Sequence, residues 1–168
     1  MATQWPDRYA WCNRLVDKSV PKLGRQARQN LVNYYDAFIK LAPDSTATQG
    51  TVPPARGETK TIPVIEYELL AAQPYFYTQE ELQFAVHAER EGITPAQLKS
   101  KRKQLWAEFF GKPRACLRCS SLPKKYGWGL HFDKAGRIAL VAVESAAYKK
   151  LSGSKSLKVV PAMNSKRA

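Results

Sequence analysis

The chain has 168 residues, 44% of them hydrophobic and 24% charged, and its 27 Lys and Arg outnumber 14 Asp and Glu for a net charge of +13. This is the composition of one globular domain; it excludes a disordered or collagen-like chain, and no apolar run approaches the roughly 18 residues that span a bilayer. Three cysteines do not make a disulfide framework, and the charged first 20 residues lack an apolar signal core, so a soluble, cytoplasmic protein is expected.

In chain order, residues 5–18 and 23–31 read as two short helices broken by Val20-Pro21. Tyr34, Tyr35, Phe38 and Ile39 favour a strand that Pro43-Asp44 closes, although a helix through Leu41 fits the periodicity nearly as well. Residues 43–61 form one long loop with three Pro and two Gly, a tether or a lid. Ile62–Ala72 reads as a helix with Thr61 at its cap and Pro63 in its first turn. Thr78 and Glu81 form a capping box for a second helix that Gly92 stops. Thr94 and Gln97 form another for a third helix, which ends at Gly111-Lys112-Pro113.

Three strands are then predicted. Residues 114–120 alternate, with Ala115, Leu117 and Cys119 on one face and Arg114, Cys116, Arg118 and Ser120 on the other. Residues 127–133 alternate as well, and residues 137–144 are rich in β formers. The loop Lys134-Ala135-Gly136 predicts a hairpin that pairs Phe132 with Ile138 and His131 with Ala139. Ser145 caps a short helix to Leu151, and Val159-Val160 add an edge strand. The expected fold is α+β: a small antiparallel sheet of three to four strands with helices packed on one face. Residues 1–36 are expected to be an N-terminal helical extension, and residues 37–168 a single α+β domain.

The charge is segregated. Residues 31–98 carry a net −5, whereas residues 99–168 carry +14. A basic half of this kind attracts polyanions. The densest chemistry lies between Ser120 and His131, where Lys124 and Lys125 can hold an anion and Tyr126 or Trp128 can stack on a ring. Arg114, Arg118, Lys166 and Arg167 extend the candidate anion-binding set. His131, with an ordinary pKa near neutrality, is the candidate acid–base residue, with Tyr126 beside it.

Cys116-x-x-Cys119 lacks a second cysteine pair, and on a strand its two thiols point to opposite faces. Neither a zinc site nor a redox dithiol is therefore expected. His87, His131 and Asp133 have the composition of a two-His-one-carboxylate iron site, but a chain with two His offers few other choices, so no metal and no cofactor are expected.

The chain resembles an uncharacterised microbial family of domains of unknown function, marked by PYxYT, SxLPK[KR]YGWGxHxD and a C-terminal AMxSKR. The residues that carry the resemblance are Pro74-Tyr75-x-Tyr77-Thr78, Ser121-Leu122-Pro123-Lys124-Lys125-Tyr126-Gly127-Trp128-Gly129-x-His131-x-Asp133, and Ala162-Met163-x-Ser165-Lys166-Arg167. It runs from about residue 37 to 168 and departs from the family's S-P-L-P at Ser120–Pro123. The resemblance implies a small stand-alone domain and no known activity.

From the residues, the expected function is binding of an anionic partner, nucleic acid above all. The alternative is a small enzyme for an anionic metabolite, with His131 as acid–base and Lys124, Lys125 and Arg118 as an anion clamp. A third reading is a scaffold domain that meets a protein partner through Trp5, Tyr9 and Trp11 of the N-terminal extension.

Overall fold

The computed structural model describes residues 33–166, apart from residues 56 and 58. The two helices expected before residue 32 lie outside the described residues, as does Arg167. Four strands form one mixed sheet in the order β3-β2-β1-β4, where β1 is Ala37–Lys40, β2 Trp128–Phe132, β3 Ile138–Ala142 and β4 Lys158–Pro161. The helices are α1 (Ile62–Ala72), α2 (Gln79–Arg90), α3 (Pro95–Phe110), α4 (Ser121–Lys125) and α5 (Ala146–Ser152). None is long and apolar enough to cross a membrane.

The hairpin β2–β3 has the register the sequence predicts, with Phe132 opposite Ile138, His131 opposite Ala139 and Leu130 opposite Leu140. Asp133 Oδ1 accepts from the backbone N–H of Ala135 and Arg137, and Gly136 takes φ +77°, so the three-residue loop closes as expected. Both predicted capping boxes form: Thr78 with Glu81 starts α2, and Thr94 with Gln97 starts α3. Thr61 occupies the cap position of α1, but its side chain makes no cap hydrogen bond.

Ala37, Ile39, Leu130, Phe132 and Ile138 bury one face of the sheet in the main core beneath α1, α2 and α3. Phe38 points the other way and is also fully buried, edge-on to Tyr148 of α5 at 5.2 Å between ring centres.

The α+β class is as expected, while two details of the arrangement differ. β4 pairs with β1 in parallel, Ala37 opposite Lys158 and Lys40 opposite Pro161, so the sheet is mixed. α5 covers the face opposite the other helices. One cause accounts for both. β3 and β4 run in the same direction at opposite edges of the sheet, and parallel strands need a crossover connection, here α5, which carries the chain across the free face.

The strand expected at residues 114–120 is not formed. Residues Leu117–Cys119 make a single 3-10 turn, with Cys119 N–H donating to the Cys116 carbonyl at 2.9 Å. Period-two alternation is necessary for a half-buried strand but not sufficient. Here the buried residues are Leu117 and Ser120, three apart and not two, and the Leu117 N–H donates to the buried Gln79 side chain at 3.2 Å instead of to a neighbouring strand. The third partner of the hairpin is β1, which pairs antiparallel with β2.

The motif from Ser121 to Asp133 is largely explained by packing. Ser120 caps α4 by accepting from Leu122 N–H, and the helix ends at Gly127 in the left-handed region, φ +74°. A Cβ on Gly127 would lie 2.1 Å from the Gln49 carbonyl oxygen, and one on Gly129 would lie 2.6 Å from the Phe38 ring. The first part of the 43–61 loop is thereby pinned: Thr51 N–H donates to the Tyr126 carbonyl, Gly50 N–H to Glu144 Oε2, and Trp128 Nε1–H to the Thr51 carbonyl. Gly127→Ala is expected to lower unfolding free energy by about 3 kcal/mol, combining left-handed strain with overpacking. Gly92→Ala has a similar φ, +62°, but nothing within 4 Å of its Cβ, and is expected to cost only about 1 kcal/mol. Urea unfolding of both variants measures the difference.

Candidate functional site

A cleft of about 680 Å³ opens between the N-terminal turns of α1, the outer side of α2, and residues 114–121. Glu66 sits at its base. The residue lies on α1 one helical turn before Leu69 and Leu70, on the stripe that faces the core, and is only 6% exposed. Ser120 Oγ–H donates to Glu66 Oε2 at 2.6 Å, and no cation pairs with the carboxylate among the described residues. Burial pushes the Glu66 carboxyl up from 4.5 to about 7, with the Ser120 hydrogen bond pulling weakly the other way. A carboxyl poised near neutrality in a water-poor site can give or take a proton.

The opposite wall carries Arg90 and Arg114 together with Glu91. Phe109, near the end of α3, supports two side chains. His87 of α2 stacks on its ring at 4.6 Å, and the Arg114 guanidinium lies 3.8 Å from its centre while Nε–H donates to the Phe109 carbonyl. Burial chiefly lowers the pKa of His87; Glu91 opposes this, and Arg114 and Arg90 add to it. Arg90 and Arg114 both line the cleft, and among the described residues neither forms an ion pair. Cys116 and Cys119 lie on the same rim.

The residues singled out from the sequence are spread over several places. Arg114 is in the cleft. Arg118 Nε–H donates to the Pro161 carbonyl at 2.7 Å, fastening the 3-10 turn to β4. Tyr126 is half-buried at the end of α4, and Trp128 is half-buried against Tyr67, with 5.5 Å between ring centres. Lys125 is exposed. Lys124 and Lys166 meet at Asp44, whose Oδ2 accepts from the backbone N–H of Ser165 and Lys166. Those bonds, Lys166's first, and the Lys124 charge hold the Asp44 carboxyl below its ordinary pKa.

His131 is not among the cleft residues, and its partner is Tyr75 instead of Tyr126. The Tyr75 hydroxyl is 2.8 Å from His131 Nδ1. Burial chiefly lowers the pKa of His131, against the pull of Asp133 and Asp36. Tyr75, at φ +57°, and Asp36, at φ +48°, are the two non-glycine residues in the left-handed region among those described.

Glu66 was not singled out from the sequence, His87 was weighed only as a metal ligand, and Ser120 only as the start of the motif that runs to His131. An acid at the core-facing spacing of Ile65, Leu69 and Leu70 was the available signal for Glu66. Ser120 had none, because its partner comes from 54 residues away. Among the described residues no three metal-ligating side chains converge.

Residues 29–168 match the profile of DUF6157, described as a family of unknown function. The chain belongs to that family. The DUF6157 match begins eight residues before the boundary expected from the motifs. No curated protein and no solved structure matches the chain.

The buried Glu66 makes stability depend on pH. Its native pKa lies above the unfolded value, so the native state holds an extra proton between about pH 4.5 and 7. Its contribution is full below pH 4.5, falls as pH rises through that window and is gone above about 7, a loss of about 3 kcal/mol. Glu66→Gln keeps the shape without the charge, so thermal unfolding at pH 5 and pH 8 is expected to differ less in the variant than in the parent.

Proposed function

We propose that the cleft binds a small anionic metabolite, a carboxylate or phosphate compound, and that Glu66 exchanges a proton with it. The observation that carries this reading is the pairing of Arg90 and Arg114, neither with a carboxylate partner among the described residues, with a buried Glu66 in one concave site. Arginines without a carboxylate partner favour an anion, and Arg114, resting on Phe109 with Nε–H bonded to its carbonyl, keeps the planar pair of terminal nitrogens for two oxygens. Glu66 is protonated below about pH 7 and can then donate to the bound molecule; above it, the carboxylate can accept. The role that the sequence reading gave to His131 passes in this proposal to Glu66.

The test is thermal unfolding of the purified protein with a panel of phosphate and carboxylate metabolites and neutral analogues. At least one anion is expected to raise Tm; a ligand at 100 times its Kd contributes about 2.7 kcal/mol. Arg90→Gln is expected to remove the shift while leaving the unliganded Tm close to the parent's. No shift with any anion, or a shift that survives in Arg90→Gln and Arg114→Gln alike, overturns the reading.

A second reading, nucleic-acid binding, is favoured by α3. Its solvent side exposes Lys99, Lys101 and Lys103, which form no ion pair among the described residues. Lys125 of α4 is exposed as well. Labelled single-stranded RNA should then bind with an affinity that falls steeply between 50 and 300 mM salt, following counterion release at about 0.7 ions per phosphate contact. Affinity that ignores salt rejects this reading.

A further inference from the structure

We propose that Cys116 and Cys119 form a redox-active dithiol that reduces a low-molecular-weight disulfide at the mouth of the cleft. On a strand the two thiols would diverge. The 3-10 turn reverses that expectation: the Cys119 N–H to Cys116 carbonyl bond, 2.9 Å, closes a four-residue turn. Such a turn holds its first and last Cα within about 7 Å, the span a disulfide bridges. Leu117 is driven into the core and held by Gln79, and both cysteines line the cleft.

The two thiols are not equivalent. Cys119 is exposed, whereas Cys116 is half-buried with the Tyr34 hydroxyl 3.7 Å from its sulfur. Tyr34 is itself 6% exposed, and Arg118 acts on it electrostatically.

These positions set the order of events. The Cys119 thiolate attacks one sulfur of the substrate disulfide, forms a mixed disulfide and expels the first thiolate. Cys116 then attacks Cys119 Sγ, closes the internal disulfide and releases the second thiolate. Two electrons pass from the protein to the substrate, and the two cysteine protons end on the two released thiols. Anion binding and this exchange share a cleft but are read separately, one by thermal shift and one by covalent mass, so either can fail alone.

Oxidised glutathione added to the fully reduced full-length protein is the probe. Trypsin cleaves after Arg114, Arg118 and Lys124, so an internal disulfide joins peptides 115–118 and 119–124, which otherwise separate. The expected product under non-reducing conditions is that joined pair, lighter by two hydrogens than the separate peptides and released by dithiothreitol. Cys116→Ser is expected to stop at a glutathione adduct on peptide 119–124, and Cys119→Ser to lose the joined pair. The oxidised parent should retain cooperative thermal unfolding. Stable glutathione adducts without the joined pair in the parent, disulfides made only through Cys12, or unfolding on oxidation would each overturn the proposal.

Discussion

The four residues of β1 are the constraint from which the rest follows. Ala37, Phe38 and Ile39 are completely buried, because the strand lies inside the sheet and has packed layers on both faces. Where β1 ends, three successive backbone groups fasten three separate elements. The Lys40 carbonyl accepts from Ala162 N–H beyond β4, Leu41 N–H donates to the Tyr148 hydroxyl of α5, and Ala42 N–H donates to the Pro123 carbonyl of α4. Ser120 caps α4 and also holds Glu66. The base of the cleft is thus connected to the centre of the sheet through hydrogen bonds, each costly to leave unmade in a dry interior.

The cleft holds the clearest departure from good core chemistry. The buried Gln79 is a neutral group with a neutral task, accepting from Leu117 N–H. Glu66 is buried with one hydroxyl for company and no cation among the described residues, an arrangement that a Gln or Leu would satisfy at lower cost. Departures from local consistency concentrate where a chain does chemistry or binds something. The left-handed Tyr75 and Asp36 are a second departure, near His131, and there the Tyr75–His131 hydrogen bond helps hold the strained backbone.

Much of this architecture was legible in the sequence because it is local. The hairpin register followed from a three-residue loop and alternating side chains, and α2 and α3 announced themselves through reciprocal caps. The failures were non-local. Nothing in Lys158–Pro161 says which strand it will join or in which direction, since four residues read alike both ways. Residues 114–120 alternate like a strand, yet Leu117 packs into the core and gives its N–H to Gln79, a partner 38 residues away that no local pattern reveals. The candidate site was least legible. Arg114 was singled out, yet its place in the cleft depends on Phe109 beneath it, and Trp128, a ring that could stack on a ligand or pack in the core, also holds Thr51 and Gly50 in place.

The parallel pairing of β1 with β4 joins stretches about 120 residues apart, Ala37 with Lys158, and closing so long a loop is slow relative to forming helices and hairpins. During synthesis, β1 leaves the ribosome early with both of its edges unpaired. Its antiparallel neighbour arrives some 90 residues later and its parallel neighbour later still. Through that interval Ala37, Phe38 and Ile39 form an apolar segment with open backbone groups on each side, the kind of strand that nascent chains shield with chaperones. The domain therefore completes its sheet only after nearly all of its residues have been made, and any shortening of the chain before Pro161 removes one of the two partners of its central strand.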